Sequence, residues 1–148
     1  MRKTLVMLAV ILPVALTPSA YAHHSHFYDQ CKSTTIEGRV ERVEFKNPHN
    51  SIMLRLDDGT GYIVDWLNLT RLTNAGIIAA AKQAMVPGAR VVGTGFLIKN
   101  LAEIRQVAPK FKGDVNPNTV EARSIRRVDD SFSWAPLPSA YTPSCTGN

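Results

Sequence analysis

Residues 51–67 set two alternating apolar/polar runs on either side of Asp57-Asp58-Gly59-Thr60, and that arrangement restricts this segment to a β-hairpin. In the first run Ile52, Leu54 and Leu56 face one way, Met53 and Arg55 the other. In the second run, GYIVDWL, Tyr62, Val64 and Trp66 share a face. A repeat of two belongs to a strand, whose successive side chains point to opposite faces. Gly59 supplies the positive φ that a tight turn requires. The turn also accounts for the adjacent carboxylates Asp57 and Asp58, which otherwise resemble an acid/base pair.

A lone hairpin is marginal in water, so further strands must complete a core. Residues 34–45 alternate with Ile36, Gly38 and Val40 on one face, then slip phase after Arg42 so that Val43 and Phe45 become the apolar set. Such a slip predicts a β-bulge or strong coiling. Lys46-Asn47-Pro48-His49-Asn50 is a turn. Residues 89–99 form a fourth strand in which Gly93 and Gly95 permit bending or close backbone approach, and Ile104 to Val107 are expected to extend it beyond an Asn100-Leu101-Ala102 turn. Residues 119–128 form the last strand. Between the third and fourth strands, residues 75–85 are helix-forming apart from Gly76, with Thr70 or Asn74 as the N-cap. The expected fold is therefore mainly β: a small five-stranded barrel with one helix between strands 3 and 4, the connectivity of the oligonucleotide/oligosaccharide-binding (OB) barrel. An open α+β sheet is the alternative.

The ends differ in character from this domain, taken as residues 34–134. Residues 1–22 read as a cleavable signal peptide: Arg2 and Lys3, then the uncharged run LVMLAVILPVAL, then Ala20-Tyr21-Ala22 at the cut. The run is too short for a membrane-spanning helix, which needs roughly 20 residues. The mature chain is expected to be periplasmic or secreted, without stable membrane insertion. Arg2 and Lys3 account for two units of the formal net charge of +5, and the remainder does not call for nucleic acid as a partner. Residues 23–33 form a His-rich arm, and residues 135–148 a Pro-rich tail. Cys31 and Cys145, the only cysteines, are expected to form a disulfide in an oxidising compartment, with two separate thiols as the alternative.

The run AHHS after the signal, then GRVERVEFKNPH, the DDG hairpin ending in Trp66, and PGARVVGTGF resemble a family of small secreted bacterial proteins of unknown function. The resemblance implies a Gly-x-Val strand and an Asn-Pro-His turn. It brings no activity with it.

Chemistry concentrates in four histidines, His23, His24, His26 and His49. Cleavage after Ala22 gives His23 a free α-amine beside its imidazole, and these two nitrogens chelate one metal. A third nitrogen from His24, His26 or His49 completes a copper-type site, with zinc as the alternative. A disordered polar arm and a turn-stabilising His49 are the plainer readings. Tyr62, Trp66 and Phe96 are ligand-groove candidates or core residues. Arg123, Arg126 and Arg127, with Lys110 and Lys112, are a basic patch or a solvated face. Asn68-Leu69-Thr70 matches a glycosylation acceptor. No serine has a G-x-S-x-G context. The chain is expected to be a non-enzymatic binding or accessory module for a small ligand or an unknown envelope protein. The alternative is a structural envelope protein that binds a protein or glycan without metal.

Overall fold

A computed structural model describes residues 27–135. The signal peptide, His23, His24, His26, the tail from residue 136 and Cys145 lie outside the described residues.

Five strands close a ring. β1 (Tyr28–Glu44) pairs antiparallel with β2 (Asn50–Arg55), and β2 with β3 (Gly61–Trp66). On its other side β1 pairs with β4 (Arg90–Ile98), and β4 with β5 (Thr119–Arg127), again antiparallel. A parallel pairing of Ile63 with Thr119, Val64 with Val120 and Asp65 with Glu121 joins β3 to β5 and shuts the barrel. This is the expected OB-like barrel. One strand serves two neighbours because β1 is long and bent. Its register with β2 shifts between Val40 and Arg42, where the apolar phase slips in the sequence. Ile52, Leu54, Val64, Val91, Val120 and Ile125 fill the interior at 0–1% exposure.

The connections depart from the sequence reading in three places. The single helix is two: α1 (Leu69–Asn74) and α2 (Ile78–Ala84), broken at Gly76, whose φ is 69°. Asn68, rather than Thr70 or Asn74, caps α1 by accepting the Arg71 N–H at 2.8 Å. That bond assigns the Asn68-Leu69-Thr70 side chain a capping role. Leu72 and Ala81 from these helices are fully buried in the same core as the barrel strands.

Residues 104–107 do not extend β4; they belong to α3 (Leu101–Val107). Asn100 and Glu103 form a capping box there, each side chain bonding the other's backbone N–H. Asn-x-x-Glu is a helix-start signal, and it outweighs the strand propensity of Ile104 and Val107.

Finally, β1 begins at Tyr28, inside the stretch expected to be an irregular arm, and Ser133–Trp134 form a sixth strand, β6, on β5. Neither segment is long enough to show a period.

Candidate functional site

The first turn of chain to leave the barrel wall is at the start of β1. Tyr28 pairs with Ile98 of β4, but the next register pair is Ser33 with Phe96, so residues 29–32 arch out of the ladder. The Lys99 N–H donates to Phe27 O at 2.8 Å, and the Phe27 and Phe111 rings meet edge-on at 5.3 Å. Tyr28 is buried, and its hydroxyl donates to Asp65 Oδ2 at 2.6 Å. Asp65 is itself the register partner of Glu121. The root of the histidine arm is thus fastened to β3 and β4.

Burial above all, and then the neighbouring Asp65 and Glu121 carboxylates, push the Tyr28 phenol well above its ordinary range. The fold therefore favours the neutral phenol. An unfolded tyrosine ionises near pH 10 (about 10), so this contribution is whole below that pH and declines as pH rises through it. The melting temperature is expected to fall more steeply between about pH 9 and 11 in the wild type than in Tyr28→Phe. Parallel curves would show that the phenol ionises as freely in the fold as outside it.

The second element is the Asn-Pro-His turn between β1 and β2. Asn50, wholly buried, holds it: its Oδ1 accepts the Lys46 N–H at 2.8 Å, and its Nδ2 donates to Leu67 O. Asn50 also stands opposite Trp66, the last residue of β3. Sequence reasoning missed this residue, because a buried Asn in a turn looks like any other turn Asn until its partners are known. His49, just before it, is half-buried. Among the described residues no group of three or more His, Cys, Asp or Glu side chains is gathered to hold a metal. Cys31 lies on the exposed arch of β1.

The three aromatic groove candidates separate. Trp66 is 2% exposed and packs edge-on against Phe132 at 6.0 Å and Trp134 at 5.6 Å, so it is core and lines no groove. Tyr62 is partly buried against that core. Phe96 is half-buried in β4, with the Arg123 guanidinium 5.1 Å from its ring centre. The basic patch also disperses. Arg126 faces Asp130 at 3.7 Å, and Arg127 is paired to Asp129 at 2.5 Å and donates to Ala84 O. The Asp57 side chain faces Arg90, and that of Asp58 accepts the Thr60 N–H, as a hairpin turn requires.

A family model described as "Family of unknown function (DUF6152)" matches residues 11–102, more than half of the chain. The chain belongs to this family. The DUF6152 match runs through the histidine arm, the Asn-Pro-His turn and β1 to β4, as far as the start of α3. No curated protein matches. Among solved structures, the chain is similar to one in "Crystal structure of S. pombe Stn1-ten1 complex", with 15% identity over 72% of this chain and 69% of that chain and a TM-score of 0.45. Among the described residues of this DUF6152 protein, no helix is long and apolar enough to cross a membrane.

Proposed function

We propose that this protein is an exported, non-enzymatic binding module that takes up copper, or zinc as the alternative ion, through His23, His24 and His26 at its mature amino terminus with help from His49. Signal peptidase cuts after Ala22 and leaves the chain in the periplasm or outside the cell. The observation that carries the reading is the anchoring of Phe27 and Tyr28. A free His-rich peptide binds metal weakly because it must be ordered first; one held at its root loses less entropy on closing the chelate. Tyr28 meets Asp65 of β3, and Asp65 is the register partner of Ser51, two residues after His49, so the root of the arm is tied to the strand that pairs with the residues following the Asn-Pro-His turn.

A disulfide between Cys31 and Cys145 belongs to the same proposal. Cys31 stands on the exposed arch next to the anchor, and Cys145 follows β6 by 11 residues of chain. Closing so long a loop stabilises by about 3–5 kcal/mol in the chain-entropy model.

Copper titration of the mature protein tests the function. His23→Ala is expected to weaken Cu(II) binding by at least about tenfold, since it removes one arm of the terminal chelate, and His49→Ala by less. Affinity no better than that of a scrambled HHSH peptide overturns the proposal.

A second reading, an envelope protein that engages a protein or glycan without metal, is favoured by one observation: the exposed guanidinium stacked on Phe96.

A further inference from the structure

We infer that the outer face of strands β1, β4 and β5 binds an acidic polysaccharide, with the Arg123 guanidinium, preset on the Phe96 ring beside a row of three hydroxyls, receiving the carboxylates of that chain. The inference makes the second reading specific and uses none of the histidines.

The face is built by a bulge. Ala122 and Ile125 both point into the core, so the two residues between them both point out. The β4–β5 register shifts at this place, between Thr94 and Gly95. A bulge aims a side chain where a regular ladder would not. Here it sets Arg123 and Ser124 side by side on the outer surface.

Arg123 is then held without a counter-ion among the described residues. Its guanidinium lies over Phe96, and it makes no ion pair among the described residues. Arg90 at the start of β4, and Arg126 and Arg127 at the end of β5, each have a carboxylate. A guanidinium already resting over a ring has less freedom to lose when it meets a carboxylate in two parallel hydrogen bonds. Beside it run Thr35, Thr94 and Ser124, register partners on three successive strands, with the two threonine hydroxyls 3.0 Å apart. Hydroxyls both donate and accept, which suits a polyol whose own hydroxyls do the same.

The hydroxyl row selects among polyanions. Nucleic acid binds mainly by neutralising several phosphates at once, and Arg123 is one guanidinium, with Arg90, Arg126 and Arg127 already paired. A uronic acid polymer offers on each sugar a carboxylate for that guanidinium and hydroxyls for Thr35, Thr94 and Ser124.

Calorimetric titration of the mature protein with alginate oligosaccharides at low salt is the test, with neutral dextran, oligo(dT), and the Arg71→Gln surface variant as comparators. Alginate binding is expected, at least about tenfold weaker for Arg123→Gln, and intermediate for Arg123→Lys, which keeps the charge and loses the fork. Arg71→Gln and His49→Ala are expected to bind as the wild type does, so loss of the copper site leaves this result standing. Absence of alginate binding by the wild type, an equal loss in Arg71→Gln, or tighter binding to oligo(dT) overturns the inference.

Discussion

Gly95→Ala is expected to cost more than about 3 kcal/mol, enough to lower the melting temperature by about 10 °C or more in a domain of this size. A Cβ on Gly95 would stand 1.9 Å from Glu121 O and 2.9 Å from Ala122 Cα. Both obstacles are backbone, so no side chain can rotate out of the way. Either β4 and β5 part or the β5 bulge moves. Moving it by one residue would turn the inward set, Ala122 and Ile125, toward solvent. Gly93 is the control on the same strand. A Cβ there would meet Val64 Cγ1 at 3.5 Å, Val64 Cγ2 at 3.7 Å and Ile36 Cγ1 at 3.8 Å, all ordinary side-chain contacts, so Gly93→Ala is expected to be near neutral. Paired thermal melts decide it; a Gly95→Ala protein that melts within about 2 °C of the wild type would mean that the close approach is not what fixes this register. Because the same bulge orients Arg123, a surviving Gly95→Ala fold should also lose the Phe96 stack.

The second large effect is at Trp66. Trp66→Ala is expected to cost about 3–5 kcal/mol, the usual range for removing a buried large aromatic side chain. The indole fills the place where β3 ends and β5 continues. Phe132 and Trp134 close over it there, and β6 takes up β5 beyond the last β3 pairing. Trp66→Phe separates volume from polarity. The buried Nε1 has no hydrogen-bond partner among the described residues, so the wild type already bears the desolvation of that N–H. Phenylalanine gives up some packing but removes the orphaned donor, and the net cost is expected to stay below about 1.5 kcal/mol. Denaturant unfolding of the two variants checks this. Equal losses would show that the indole nitrogen matters to the fold in a way its surroundings do not reveal.

Both cases turn on glycines and aromatics that the sequence flags without ranking. Gly93 and Gly95 look alike as strand glycines, and only the position of β5 makes one dispensable and the other not. Trp66, Tyr62 and Phe96 look alike as groove or core residues. Pairing across strands buries the first, leaves the second at the core margin and turns the third outward under Arg123.

What the sequence determined by itself was everything written in short-range repeats. The two-residue alternation fixed β2 and β3, the DDG turn joined them, and the slipped phase after Arg42 announced the bulge in β1. The order of strands around one helical stretch was enough to select an OB-like barrel. Tertiary structure alone decided what depends on partners far along the chain: the Tyr28–Asp65 bond across 37 residues, the hold of Asn50 on Leu67, the aromatic cover from Phe132 and Trp134, and the stacking of Arg123 on Phe96. The physical reason is that periodicity records which face of an element is buried, whereas a hydrogen bond or a ring contact requires two elements to meet in one register. Closure of the barrel sets that register, and no local run of residues contains it.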